Sequence, residues 1–406
     1  MRHLASAAFC TMLVPQAGMA QIEVDTGALN GAEAVFEGSI SGVLQRLNRG
    51  GSDSGNRESR ANYRGDLSAA LPVAGIGKGA GHLFGHVRFG QGAGVSTRPT
   101  YTGSINSLAF ETSTGSDSFA ILAQLYYQLS LPISSGPDSG RKRVELNLGK
   151  IDPFLLFDQN KGADDEASRF LNNVFVHNPL LDSGGDLGAD RYGFTPGVRA
   201  AYFDDENARF GWSASIGVFG AGANADFGRS LGKPFVIAQI QLAAKRPDGD
   251  TAGNYRLYRW SNPQADNFDQ PLRPHAGWGI SLDQAVGNEW MLFGRYGRRT
   301  TGHGTFDRAI TVGFVLAGNR WGRPLDGLGM AIGRLSTDAW YRAATADGSL
   351  VGYSASGHER VMEVYYGYAV NRQFEISPHL QIVSRPGGDG SAPALRALGL
   401  RASLGF

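Results

Sequence analysis

The sequence predicts an all-β protein, a 16-stranded antiparallel transmembrane β-barrel with one long loop folded inward. Three observations carry that prediction. Segments about ten residues long alternate with period 2, which is the length a tilted strand needs to cross a bilayer. In Phe119–Leu131, Ile121, Ala123, Leu125, Tyr127, Leu129 and Leu131 share one face, and Gln124, Tyr126, Gln128 and Ser130 share the other. Connections alternate between short ones, such as Gly287-Asn288 and Asn371-Arg372-Gln373, and long ones at 91–117, 152–195, 263–275 and 336–359. The final strand places Ala402, Leu404 and Phe406 on one face and ends in an aromatic carboxylate.

Strands follow in order at 35–47, 60–72 and 82–90, the last two joined by the glycine-rich turn Gly75–Ala80. Next come 118–131 and 142–151, where Val144, Leu146 and Leu148 face away from Arg143, Glu145 and Asn147. The pair 196–204 and 209–220 is joined by the polar turn Asp204–Asn207. In 235–245, Val236, Ala238, Ile240 and Leu242 oppose Gln239 and Gln241. The rest are 254–262, 276–286, 289–299, 308–317, 327–335, 360–370, 374–384 and 393–406. Ile105–Glu111 stays in a loop, because counting it would break the even parity a closed barrel needs. Trp212, Tyr258, Trp260, Trp278, Trp290, Tyr366 and Tyr368 sit near strand ends, as interfacial aromatic girdles do.

Composition agrees. Glycine is 58 of 406 residues and charged residues only 18%, which suits many strands and turns and argues against a disordered chain or a helical bundle. Lys+Arg is 38 against 37 Asp+Glu, so nothing attracts nucleic acid. Residues 1–20 read as an export leader cleaved before Gln21, leaving 21–406 as one barrel domain. The sole cysteine, Cys10, falls in that leader, so the mature chain has no disulfide, thiol nucleophile or thiolate metal site.

Several stretches resemble the OprB-like carbohydrate-selective porins of Gram-negative outer membranes. They are Leu148-Gly149-Lys150-Ile151-Asp152-Pro153-Phe154, Phe157-Asp158-Gln159-Asn160, Arg169-Phe170-Leu171-Asn172-Asn173 and Gly193-Phe194-Thr195-Pro196-Gly197. Towards the C-terminus, His358–Tyr366, Ile376–Gln381 and Arg385-Pro386-Gly387-Gly388 add to it. The resemblance implies a 16-stranded pore narrowed by inward loops and passive diffusion of sugars, with glucose the best-known substrate class. Its partners would be carbohydrates, outer-membrane lipid and the barrel assembly machinery. The alternatives are a barrel of another class, such as a general porin or a hydrolase with its catalytic residues at the rim, and a secreted all-β sugar-binding protein.

No residue set suggests catalysis, a cofactor or a metal. Gly75–Ala80 matches a dinucleotide fingerprint only superficially, since a strand rather than a helix follows. His82 and His86 share a strand face about 13 Å apart, too far for one ion. Asp164-Asp165-Glu166 precede a short helical stretch expected at 167–175 and would stabilise its start. Asp182, Asp186 and Asp190 lack the spacing of a calcium loop.

The lumen is expected to receive Arg64, Asp66, Arg88, Arg143, Glu145, Gln239, Gln241, Arg295, Glu363 and Arg401. These mixed signs suit a neutral polar solute. The segment 152–195 is too long for a simple connection and carries Phe154, Leu155, Leu156, Phe157, Phe170, Leu171, Val174 and Phe175, which need burial. Folding into the lumen would bury them as a constriction loop and leave Asp158, Arg169 and Asn172 facing the water path, with Arg169 at the constriction.

Overall fold

The computed structural model describes residues 33–114, 118–133, 140–222, 225, 230–269 and 271–406. The expected leader lies outside them. Sixteen antiparallel strands form one closed barrel, each paired with its neighbours in sequence, and the first pairs with the last. They are β1 Val35–Leu47, β2 Glu58–Val73, β3 Ala80–Gly92, β4 Ser118–Pro132, β5 Lys142–Ile151, β6 Thr195–Asp204, β7 Phe210–Phe219 and β8 Phe235–Lys245. Then follow β9 Thr251–Ala265, β10 Arg273–Val286, β11 Trp290–Thr301, β12 Phe306–Ala317, β13 Gly327–Thr337, β14 His358–Ala369, β15 Phe374–Ser384 and β16 Leu395–Gly405. Every strand expected from the alternation is present, and Ile105–Glu111 lies in a loop as expected.

The two faces divide as a membrane barrel requires. On β8, Ile240 is 62% exposed on the outside while its neighbour Gln239 is 4% exposed on the inside. The outward set of Leu44, Leu67, Leu148, Leu257, Ile310 and Leu398 is apolar and open, whereas the inward set is polar and enclosed. In a β-sandwich the apolar face would be the buried one. Lipid is the solvent that reconciles an exposed apolar face with a wet interior. One end carries tight connections, such as 287–289, where Gly287 adopts φ +59°. The other carries 93–117, 152–194 and 338–357. By that asymmetry the first is the periplasmic end and the second the outer end.

Three expectations need correction. In β4, His86 pairs with Gln124 and the adjacent Val87 with Leu122, so Ala123 is a bulge. One extra residue inverts the phase beyond it. Ile121 therefore lies opposite Arg88 on the lumen side, and Leu122 takes the lipid side. Next, Tyr258 and Trp260 are buried inside rather than placed in a girdle. They belong to the phase of Arg256, while Tyr255, Leu257 and Arg259 face out. Trp212, Trp290, Tyr366 and Tyr368 remain on the outer surface near the periplasmic end, where Trp290 packs on Phe314 at 5.2 Å. Finally, the helix expected over 167–175 is one turn at Asn173–Val176, α1. Asn172 caps it by accepting from the Val174 N–H, and the acids before it bond elsewhere: Asp165 accepts from the Ala167 N–H at 2.9 Å. Short polar side chains that bond nearby backbone favour such turns over continuous helix.

Phe406 fastens the closure. Its N–H donates to the Gly38 carbonyl and the Gly38 N–H donates to the Phe406 carbonyl, both at 2.9 Å. Its ring covers Gly38, where a Cβ would lie 2.3 Å from a ring carbon. Deleting Phe406, or replacing Gly38→Val, should therefore lower the yield of heat-modifiable barrel in the membrane, read as the unboiled fast-migrating band on gels. An unchanged band for both would contradict this closure.

Candidate functional site

The loop 152–194 enters the lumen and is fixed to the wall by a series of buried charged anchors. Asp158, in the left-handed backbone region at φ +59°, accepts from the Tyr258 hydroxyl at 2.7 Å and from the Asn178 N–H at 2.6 Å. It also pairs with Arg295 at 3.2 Å, and Arg295 donates to the Phe175 carbonyl as well. Glu363 accepts the N–H groups of Leu171 and Asn172 at 2.9 Å each, and His379 sits 2.8 Å from the same carboxylate. Arg401 donates to the carbonyls of Glu166 at 3.0 Å and Arg169 at 2.7 Å. Towards the outer end Asp186 takes the Trp260 indole N–H at 2.9 Å, His275 at 2.8 Å and Arg299 at 2.7 Å.

Apolar side chains fill the spaces between these anchors. Phe170 touches Phe175, Phe293 and Tyr365 with centroids 5.1 to 5.4 Å away, and Leu171, Val174 and Phe175 are fully buried. A second loop, 93–117, also turns inward. Its Ile105 carbonyl accepts from Gln45 at 3.0 Å and Gln381 at 2.8 Å, and Glu359 receives the N–H groups of Tyr101 and Thr102.

These anchors draw the loop mainly onto β9–β11 and β14–β16. On the opposite side, between Leu155, Leu156, Gln159 and Lys161 of the loop and strands β4–β9, an open cleft of about 280 Å³ remains. Its wall carries Arg143, Glu145, Arg199, Gln239, Gln241 and Arg256. Glu145 accepts from Arg143 at 2.8 Å and from Arg199 at 3.4 Å, and both guanidiniums lie on Phe203, at 4.2 and 5.5 Å. Arg256 bridges Gln241 at 3.1 Å and Asp283 at 2.8 Å. A smaller gap beside it is bounded by Arg64, Asp66, His86 and Arg88. There Asp66 accepts from Arg64 at 2.9 Å, Arg88 at 2.6 Å and His86 at 2.8 Å, and Arg64 reaches Glu166 of the loop.

The structure thus separates the residues expected to line the lumen into two groups. Arg64, Asp66, Arg88, Arg143, Glu145, Gln239 and Gln241 border the open spaces. Arg295, Glu363 and Arg401 face inward too, but they are covered by the loop they hold. Asp158 and Asn172 do not face water. They are enclosed between loop and wall, where Asp158 accepts from the Asn178 N–H, and Asn172 accepts from the Val174 N–H and donates to the Gln381 side-chain oxygen. Arg169 is buried likewise, beside Tyr365 and Asp165. Arg199 and Arg256 were missed, although the alternation of Val198-Arg199 and Arg256-Leu257 carried the signal for both.

A closed barrel with a lipid-compatible exterior and a wet interior narrowed by inserted loops is a diffusion channel of the porin class. The profile of the carbohydrate-selective porins, the OprB family, matches residues 74–406, and the chain belongs to that family. It is accordingly a Gram-negative outer-membrane channel. The high-pH structure of Pseudomonas putida OprB is similar at 17% identity and TM-score 0.70, over 94% of this chain and 96% of that one. The outer membrane channel DcaP of Acinetobacter baumannii gives 13% and 0.55 over 93% and 98%. The anion-selective porin from Comamonas acidovorans gives 10% and 0.55 over 92% and 99%. These likenesses concern the fold. No match is found among curated proteins.

Two outcomes follow from the anchors. Arg295→Leu leaves Asp158 buried without its cation, a loss of about 3–5 kcal/mol for such a pair. It should raise single-channel conductance and speed hydrogen exchange over 158–178 without reducing barrel assembly; unchanged exchange would mean that the apolar contacts alone hold the loop. The second concerns acid. Burial alone would raise the Glu166 carboxyl, but Arg64 and Arg88 outweigh it and hold it at about 2, against an ordinary 4.5. The folded value is the lower one, so this pairing contributes fully above about pH 4.5 and is lost as pH falls towards 2. Exchange at 164–170 should accelerate across that window, and Glu166→Gln should flatten the response.

Proposed function

We propose that this porin passes neutral sugars of mono- to small oligosaccharide size, glucose-like ones among them, by passive diffusion along the cleft between the loop and β4–β9. The observation that supports this reading is the pairing of donors and acceptors along that wall, with Arg143 and Arg199 on either side of Glu145, and Gln241 beside Arg256. A sugar hydroxyl donates and accepts at once, so adjacent opposite partners serve it better than a wall of one sign. The Phe203 ring between the two arginines offers an apolar surface for the C–H face of a sugar. Because these groups already bond one another, a passing sugar exchanges hydrogen bonds rather than gaining new ones. Binding then stays weak enough for release, as conduction requires.

Within this reading Arg64, Asp66 and Arg88 belong to the same path, and Arg169 positions the loop instead of touching the solute. We also read the strand ending at Phe406 as the segment taken up by the barrel assembly machinery, and residues 1–20 as the export leader. Liposome swelling tests the substrate class. Neutral monosaccharides should enter faster than sugar-sized organic anions, and Arg199→Ala or Glu145→Gln should weaken glucose block of ion current by about tenfold, the scale of one hydrogen bond to a charged group. Shortening 158–190 should admit larger sugars. Swelling that follows solute size alone, indifferent to both substitutions, would make this a general porin.

A further inference from the structure

The outer surface of the barrel carries a feature that sugar passage does not use. At the outer ends of β1, β9, β11, β12, β13, β14 and β16, lipid-side positions are occupied by Arg46, Arg259, Arg298, Arg308, Arg334, Arg360 and Arg396, all exposed. The register places them in one band, stepped by two residues between β12 and β13, where Arg308 faces Ser336 and Arg334 faces Ile310. Trp278 pairs with Arg259 on one side and Arg298 on the other. Arg298 lies directly opposite Arg308, and Arg334 directly opposite Arg360. The next outward positions towards the membrane centre are apolar, Leu257, Ile280, Ile310, Ile332 and Leu398 among them. The row therefore sits where the hydrocarbon ends.

Its charge is poorly matched from within the protein. Among the described residues Arg308 alone of the seven has an acidic partner, Asp307 at 3.7 Å, while Arg334 and Arg360 share His358. Like charges directly opposite on neighbouring strands repel, so two such pairs in one row call for anions from outside. The row is also one-sided. In register, Arg46 faces Ser59 of β2, and Arg259 faces Ala238 of β8, which in turn faces Ile216 of β7; Lys150 of β5, opposite Leu125, is paired with Asp190. At the periplasmic end the outward positions are aromatic, with Trp212, Trp290, Phe314 and Tyr366. Simple solubility would not confine unpaired arginine to half of one rim.

We propose that this arginine row binds the phosphate groups of an outer-leaflet glycolipid, the lipid A portion of lipopolysaccharide. Guanidinium suits the ligand, because its fork of donors meets phosphate oxygens in pairs. The Arg298/Arg308 and Arg334/Arg360 pairs lie about 12 Å apart, two strand spacings across and two residues along the strands. Each pair can take one phosphate, with acyl chains lying along the apolar band beneath. Trp278 provides a flat surface beside the row for the sugar ring.

The test compares lipids retained by the intact barrel in detergent and in nanodiscs, read by native mass spectrometry, using diphosphoryl lipid A, chemically dephosphorylated lipid A and phosphatidylglycerol. The parent should retain diphosphoryl lipid A about tenfold or more in preference to the dephosphorylated form. The quadruple variant Arg298→Gln, Arg308→Gln, Arg334→Gln, Arg360→Gln should lose that preference, while the corresponding Arg→Lys set keeps part of it. Equal retention of the phosphorylated and dephosphorylated forms by the parent would overturn the proposal without needing any variant to fold. So would phosphatidylglycerol bound as well as lipid A, or a quadruple variant that retains lipid A like the parent. Sugar flux, measured in parallel, should not change, so failure here leaves the reading of the channel untouched.

Discussion

Backbone in a bilayer has no water to bond, so a sheet placed there must close on itself. Most of this structure follows from that closure. The β1–β16 ladder and the Phe406–Gly38 pairing remove the last free edge. With sixteen strands the enclosed space is too wide for wall side chains to fill, unlike an eight-stranded barrel. The protein must then either leave a broad aqueous hole or bring chain in from a loop. It does the second, and 152–194 is the chain it uses.

Chain brought into the lumen carries backbone groups that need partners, and the lumen wall is where they find them. This explains why the anchors are charged. Glu363 takes two N–H groups of the loop and Arg401 takes two of its carbonyls, each completing backbone that makes no ladder bonds of its own. An apolar wall would exclude water from those groups and offer nothing in return, at about 1–3 kcal/mol for each unsatisfied one. The apolar contacts of Phe170 and Phe175 supply burial, and the charged contacts fix position.

How much of this could be read from the sequence depended on whether a period existed. Strands have one, so their ranges, number and inward faces were legible from alternation. The bulge at Ala123 was not, because Ile121 and Ala123 are both apolar and the alternation looks unbroken across the phase change. In Tyr255-Arg256-Leu257-Tyr258-Arg259-Trp260 each face holds an arginine and at least one aromatic residue, so composition could not say which face met lipid. Only the Asp158 and Asp186 partners of Tyr258 and Trp260 decide it. Loops have no period at all. That Asp158, Arg169 and Asn172 would be in the lumen followed from the need to bury their apolar neighbours, but whether they faced water or wall depended on three-dimensional contacts.

Holding the loop against part of the wall has a consequence for selection. One side of the lumen becomes packed interior, where Arg295, Glu363 and Arg401 spend their hydrogen bonds on the loop. The other, along β4–β9, keeps polar groups bonded sideways to one another and open to the channel. The first kind of contact is enclosed between loop and wall; the second borders the cleft, where a solute can reach it. A selective pore needs both, a rigid boundary to set the width and a labile surface to handle the solute. Here the two are made from the same residue types, and what distinguishes Arg295 from Arg199 is only which side of the inserted loop each faces.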